Sequence, residues 1–153
     1  MNLAPYIDHT ILKADASVDD IRRLCAEAAE HKFAAVCVNP GYVDLAAHLL
    51  AGTGVKVATV AGFPLGATLP AVKVFETKEA IKRKADEIDM VINLGWVKDG
   101  QYDKVLSEIR QVKAACHGKL LKVIIETCML TDEEKIRMCQ VVSDSGAEYI
   151  KTS

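Results

Sequence analysis

The sequence alternates short apolar runs with amphipathic segments along its 153 residues. The runs are rich in β-branched residues, and the first is the weakest: residues 6–12, 34–39, 55–62, 87–95, 121–126 and 147–153. Apolar residues at consecutive positions predict strands buried on both faces, as in a parallel sheet. This alternation constrains the fold most, because strand–helix–strand repeats give a parallel α/β sheet.

Helical patterns fill the intervals between the predicted strands. Thr131 and Glu134 form a capping box, and Ser17 is placed to cap an earlier helix with Asp20 at the position where Glu or Gln is usual. Pro70 suits the first turn of a helix, where its missing N–H costs nothing. The predicted helices follow Ser17, span residues 41–51, about 69–85 and 99–116, and follow Thr131.

Two architectures fit this order of elements, an open doubly wound sheet and a (β/α)₈ barrel. No glycine-rich nucleotide or phosphate loop follows any predicted strand, which weakens the nucleotide-binding version of the open sheet. Six strands with five crossovers amount to three-quarters of a barrel. We therefore expect residues 1–153 to form a single, incomplete (β/α) barrel domain.

Composition narrows the functional class. The net charge of −2 gives no electrostatic case for nucleic acid or an anionic membrane, and no apolar run reaches transmembrane length. The early Asp8 interrupts the stretch in which a signal peptide needs a long apolar core. Five scattered cysteines without a CxxC pair are typical of reduced thiols. We expect a cytoplasmic protein.

Two charged residues within predicted strands are the main candidates for chemistry. Lys151 lies near the end of the sixth run, where loss of solvation favours a neutral amine that can form a Schiff base. The alternative is a lysine that reaches solvent from a strand end. Asp89 is flanked by Ile88 and Met90 in the fourth run. It is either a general acid/base that works with a lysine or one half of a structural salt bridge.

Polar residues of the first run form a second candidate group. Alternation places Asp8 and Thr10 on one face of a strand and His9 on the other. These residues fit a polar barrel interior, and equally a helix cap or a turn. The loop at residues 61–68 follows the third run, where a site is expected, although an ordinary strand-to-helix turn also fits.

The fifth run contributes a third group. Lys122 and Glu126 are spaced to share one strand face and to join a buried network with Asp89, or to form an ion pair without a catalytic role. Asn39 and Asn93 end predicted strands, where they either bind substrate or cap the next helix.

Six ordered motifs together resemble one enzyme family. IDHT, VCVNP, VAGFPLG, DEIDMVIN, LKVIIET and YIKTS follow the order found in deoxyribose-phosphate aldolase, from about residue 6 to residue 153. The resemblance implies a class I aldolase on a (β/α)₈ barrel that needs no metal or other cofactor. This family reversibly cleaves 2-deoxyribose 5-phosphate into acetaldehyde and glyceraldehyde 3-phosphate, so we expect a small phosphorylated sugar or aldehyde as ligand.

The resemblance also assigns roles to individual residues. Lys151 matches the lysine that forms the Schiff base, and Asp89 matches the aspartate of a proton relay that uses a second lysine and a water. Asp8 and Thr10 match polar residues of the first strand near the substrate, and Cys37 matches a cysteine near the aldehyde site in some relatives. The candidate substrate-binding residues are Asp8, Thr10, Cys37 and Lys122.

The sequence departs from the family pattern after Lys151. In the family two further strands follow, the seventh carries the second lysine, and loops after strands seven and eight hold the phosphate. We therefore expect a truncated chain with very low or absent activity. Exposed barrel edges predict a homo-oligomer. The alternative is a non-catalytic, self-associating barrel fragment.

Overall fold

The computed structural model describes residues 2–152, and strands and helices alternate along them. The six strands are all short and belong to one sheet, in which they lie in chain order. They are β1 (Asp8–Ile11), β2 (Ala35–Val38), β3 (Lys56–Ala61), β4 (Glu87–Val91), β5 (Leu120–Ile124) and β6 (Tyr149–Lys151).

Six α-helices connect these strands. They are α1 (Val18–His31), α2 (Val43–Leu49), α3 (Pro70–Lys82), α4 (Leu94–Lys98), α5 (Tyr102–Ala115) and α6 (Asp132–Ser145). Three short 3₁₀ helices complete the described elements at Ala4–Tyr6, Pro40–Tyr42 and Thr127–Met129. Among residues 2–152, no helix has the length and apolar character that crossing a membrane requires.

The chain divides into two compact units. The first contains the residues up to Val60 together with Ala80–Glu87, and the second contains Ala61–Glu79 and the residues from Ile88 onward. The prediction of a single domain over the whole chain stays a prediction.

The first unit is built on the parallel pairing of β1 with β2 and of β2 with β3. All four residues of β2 are buried. Helix α1 begins with a complete capping box: the Asp20 N–H donates to the Ser17 hydroxyl and the Asp20 carboxylate accepts from the Ser17 N–H. The shorter aspartate therefore does what glutamate usually does at this position. The buried face of α1 holds Ile21, Leu24, Cys25 and Ala28.

The second unit contains the parallel pair β5 and β6, with Lys122 opposite Tyr149 and Ile124 opposite Lys151. The predicted capping box of Thr131 and Glu134 is present at the start of α6. The helix ends at Gly146, which has a φ of 85°, a left-handed conformation that glycine adopts without strain.

Two predicted strands extend too far. The fourth run was expected to reach residue 95, but β4 ends at Val91 because the Asn93 side chain accepts a hydrogen bond from the Trp96 N–H and caps α4. Of the two roles open to Asn93, the cap is the one observed. The fifth run was expected to reach residue 126, but β5 ends at Ile124 and Glu126 adopts a left-handed φ of 52°.

A glycine in the loop between β3 and α3 packs against the end of β4. Gly66 has a φ of 65°, and its N–H donates to the Gly62 carbonyl at 2.7 Å. A Cβ atom at Gly66 would lie 1.9 Å from the backbone oxygen of Ile92. Only a residue without a side chain allows this approach. Gly100 has nearly the same φ, 68°, but a Cβ atom there would meet nothing within 4 Å.

Comparison of Gly66 with Gly100 distinguishes the cost of the steric clash with Ile92 from the cost of a left-handed backbone. We expect Gly100→Ala to lower the free energy of unfolding by about 1 kcal/mol, the cost of a left-handed backbone alone. Gly66→Ala should cost about 3 kcal/mol or more, because the β4 backbone must also move. Urea denaturation followed by circular dichroism measures both, and equal costs would show that the Ile92 contact is unimportant.

Candidate active site

The site is centred on the carboxylate of Asp89, which is fully buried in β4. The ammonium of Lys151 donates a hydrogen bond to its Oδ2 atom. The ammonium of Lys122 lies 3.3 Å from its Oδ1 atom. A buried carboxylate is tolerated when opposite charges compensate for its lost hydration, and here two cations do so.

Strand register explains why both lysines reach the same carboxylate. Lys122 and Ile124 are two residues apart in β5, so their side chains lie on one face of the sheet. Lys151 is opposite Ile124 in the parallel pair of β5 and β6. Both lysines therefore project from the same face, one pleat apart. In the sheet order, β5 lies between β4 and β6.

Exposure increases from Asp89 to Lys151. The side chain of Asp89 is fully buried, that of Lys122 is 9% exposed and that of Lys151 is 33% exposed. Lys151 is thus the group of the three that a small molecule reaches most easily. Asp89 is therefore a buried hydrogen-bond partner of the Lys151 amine, which a small molecule can reach.

The Asp89 Oδ1 atom is buried, and no residue between positions 2 and 152 donates a hydrogen bond to it. A buried carboxylate oxygen in this condition is uncommon in proteins, because desolvation without a hydrogen bond is costly. It is therefore a place where a proton, a water molecule or a substrate hydroxyl would be bound. This arrangement suits an acid/base group, because the reachable amine of Lys151 is hydrogen-bonded to the same carboxylate.

The other predicted residues of the site lie in the first unit. Thr10 is exposed, and its hydroxyl donates to the backbone oxygen of Asp8 at 2.9 Å. His9 contacts Glu27 of α1 at 2.7 Å, on the opposite side of β1 as predicted. Cys37 is buried in an apolar cluster with Ala35, Ala58 and Val60. Substrate binding by Asp8, Thr10 and Cys37 stays a prediction.

The expected network of Lys122 and Glu126 is half correct. Lys122 does approach Asp89, so the predicted buried lysine–carboxylate contact is confirmed. The prediction that Glu126 shares the strand face with Lys122 is wrong, because Glu126 lies beyond the end of β5 in a left-handed conformation. Its carboxylate accepts a hydrogen bond from the thiol of Cys128.

Sequence reasoning missed a second buried ion pair, between Lys73 of α3 and Glu108 of α5. Both side chains are fully buried, and Lys73 Nζ lies 2.8 Å from Glu108 Oε1. Burial lowers the pKa of Lys73 and raises that of Glu108, and the attraction between the two opposes both shifts. On α3 the apolar Val72 and Phe75 are exposed, so apolar residues do not mark the buried face of this helix.

Comparison with known proteins assigns the family. The model of the DeoC/LacD family aldolases matches residues 3–153. The chain belongs to this family. Deoxyribose-phosphate aldolase of Streptococcus suis (strain 98HAH33) is 57% identical over the whole chain, which spans 70% of that relative. The deoxyribose-phosphate aldolase of Geobacillus sp. (strain WCH70) is 58% identical, and the chain spans 69% of it.

Solved structures agree with this assignment. A crystal structure from Coccidioides immitis matches 97% of the chain with a TM-score of 0.96 at 44% sequence identity, and the chain spans 59% of that protein. The deoxyribose phosphate aldolase of Aeropyrum pernix, which has a tetrameric structure, matches with a TM-score of 0.86 at 30% identity, and the chain spans 64% of it. The predicted family resemblance is confirmed.

The same comparisons decide between the two architectures. The fold is that of the (β/α)₈ barrel aldolases and not an open doubly wound sheet. The described residues supply six strands of the eight that such a barrel contains.

The charge balance at Asp89 gives a stability prediction. Asp89→Asn removes the partner of two ammonium groups, one of them nearly buried, and should lower the free energy of unfolding by about 3 kcal/mol. Asp132→Asn is the control, because Asp132 pairs with Lys135 at the surface and is 92% exposed. We expect little change there. Equal losses in urea denaturation would contradict the buried ion-pair assignment.

Proposed function

We propose that this chain carries the Schiff-base chemistry of a deoxyribose-phosphate aldolase. The reaction is the reversible cleavage of 2-deoxy-D-ribose 5-phosphate into acetaldehyde and D-glyceraldehyde 3-phosphate. The observation that supports it most directly is a reachable lysine amine, Lys151, hydrogen-bonded to a fully buried carboxylate, Asp89. Membership in the aldolase family and the names of the relatives support the same carbon–carbon lyase activity.

The first step joins Lys151 to the open-chain sugar. The neutral amine attacks the C1 aldehyde, a nitrogen–carbon bond forms, and the carbonyl electrons move to oxygen to give a carbinolamine. Proton transfer to the hydroxyl releases water and leaves an iminium ion. Asp89 lies within hydrogen-bonding distance of the Lys151 nitrogen, so it can take the ammonium proton and return one to the departing hydroxyl.

The second step breaks the bond between C2 and C3. A base removes the proton of the C3 hydroxyl, the C3 oxygen becomes an aldehyde, and the electron pair of the broken bond moves to the iminium nitrogen. Glyceraldehyde 3-phosphate departs and an enamine remains on Lys151. Protonation of the enamine carbon and addition of water then release acetaldehyde and the free amine.

Asp89 is the proposed proton carrier in these steps. Its Oδ1 atom is buried and accepts no hydrogen bond from residues 2–152, so it can bind the water or hydroxyl that exchanges the proton. Lys122 lies 3.3 Å from this oxygen and is the proposed contact for a substrate hydroxyl. Asp8, Thr10 and Cys37 keep their proposed substrate-binding roles from the family resemblance.

The chain spans 70% of the Streptococcus suis relative and 59% of the Coccidioides immitis structure. The very low or absent turnover of the natural sugar that the sequence led us to expect stays a prediction.

The proposed nucleophile is tested by trapping. Incubation with acetaldehyde and borohydride should attach an ethyl group to Lys151 selectively, because reduction fixes the imine. Peptide mass spectrometry locates the label. Lys151→Met should abolish this labelling, and Asp89→Asn should slow it by at least about tenfold. Lys135→Met, at an exposed ion pair on α6, should leave it unchanged. Labelling spread evenly over surface lysines, in a chain folded by circular dichroism, would refute the proposal.

A second candidate function is that of a scaffold that associates with further copies of itself. The edge strands of the sheet support it. Among residues 2–152, β1 and β6 are the terminal strands of the sheet, and Tyr149 and Ile150 on β6 are 56% and 39% exposed. Unpaired strand edges with exposed apolar side chains promote pairing with another copy. We propose a homo-oligomer formed through these edges. The free state of all five cysteines supports the proposed cytoplasmic location.

Size-exclusion chromatography with light scattering tests the association. We expect more than one copy per particle, with a shift toward the 16.6 kDa monomer in Ile150→Lys, which places a charge on the edge strand. Ile136→Lys is the matched control, because Ile136 is also exposed, at 65%, but belongs to α6 and not to a strand. A wild-type chain that stays monomeric at high concentration would rule the idea out.

A further inference from the structure

The buried pair of Lys73 and Glu108 has no place in the proposed reaction. Both side chains are fully buried, and each is paired with the other and not with the Lys151 amine. Replacing such a pair with apolar residues of similar size is often neutral or even stabilising in proteins. Stability alone therefore gives a weak account of two charges at this position, and their contacts suggest another one.

The contacts of the pair converge on the residues that follow Asp89. Lys73 Nζ donates a hydrogen bond to the backbone oxygen of Val91 at 2.8 Å. The backbone N–H of Asn93 opposes the rise in the pKa of Glu108. Through Lys73 the ion pair is thus bound to the last residue of β4.

Ile92, between Val91 and Asn93, is also fixed by backbone contacts. The Ile92 N–H donates to the Ile124 oxygen of β5 at 3.2 Å, and Gly66 packs against the Ile92 oxygen. The Lys73 side chain runs close to Gly62, where an added Cβ atom would lie 2.6 Å from Lys73 Cε. The loop at residues 62–66 therefore leaves room for one extended lysine and little else.

We propose that Lys73 and Glu108 are positioning residues for Asp89, an inference that rests on the proposed Schiff-base function. Val91 is two residues after Asp89 on the same strand. Fixing Val91 fixes how far β4 advances toward Lys122 and Lys151, and thereby the position of the Asp89 carboxylate. In catalysis a misplacement of about 1 Å can cost about 100-fold in rate.

The test replaces the pair with Lys73→Met/Glu108→Leu, which keeps the volume and removes both charges together. The position of Asp89 is read from the ¹³C resonance of its carboxyl carbon, assigned by loss of the signal in Asp89→Asn. The effect on chemistry is read from acetaldehyde trapping at Lys151 relative to trapping at surface lysines. Lys113→Met is the control, because it removes another ion pair from α5, with Glu148 next to the start of β6.

We expect the double variant to remain folded by circular dichroism. Its Asp89 carboxyl resonance should shift, and selective trapping at Lys151 should slow by about tenfold or more while surface labelling stays constant. Lys113→Met should change neither value. Glu108→Gln retains an oxygen that can face Lys73 and Asn93, and should stay within about twofold of the wild type in trapping.

An Asp89 resonance that is unchanged in the folded double variant would overturn the inference. If the double variant does not fold, Lys73→Met decides, because the raised pKa of Glu108 allows that carboxyl to stay buried as the neutral acid. The same resonance shift is expected there. Absence of any Lys151 trapping in the wild type would refute the proposed function, whereas the Asp89 resonance would still decide the positioning role.

Discussion

The contact between a fully buried Asp89 carboxylate and two lysine ammonium groups is the interaction on which the candidate site depends. A carboxylate in this position is stable only with cationic partners, and each lysine would lose its partner if β4 moved. The register of β5 and β6 places both lysines on one face, so the sheet itself assembles the charge cluster. Chemistry at Lys151 therefore depends on strand pairing as much as on its own side chain.

The strand–helix alternation was predictable because it depends on local patterns. All six strands overlap the predicted runs, and the two capping boxes lie where the sequence placed them. The expected burial on both faces is wrong for β1 and β6, whose residues are half-buried or exposed. The ends of β4 and β5 were not predicted, because each depends on the local conformation of a single residue. Asn93 starts a helix inside an apolar run, and Glu126 adopts a left-handed conformation that its residue type does not indicate.

The candidate site was predictable to the extent that its residues interrupt strands. Asp89, Lys122 and Lys151 stand out as charges within apolar runs, and the structure brings all three together. Lys73 and Glu108 do not stand out, because charges on helices normally face solvent. Their pairing joins α3 to α5 and depends on the tertiary packing of helices 35 residues apart in sequence, counted from Lys73 to Glu108. No local pattern contains that information.

The two buried pairs of the second unit share the same charges but differ in access to solvent. At Asp89 one of the two lysines is a third exposed, so protons and small molecules can reach its amine. At Glu108 both partners are sealed, and the lysine is also bound to a backbone oxygen. The arrangement at Asp89 suits acid/base chemistry, whereas the pair of Lys73 and Glu108 suits fixing the backbone of β4. Because both act on β4, the rigid pair can determine the geometry in which the reactive pair works.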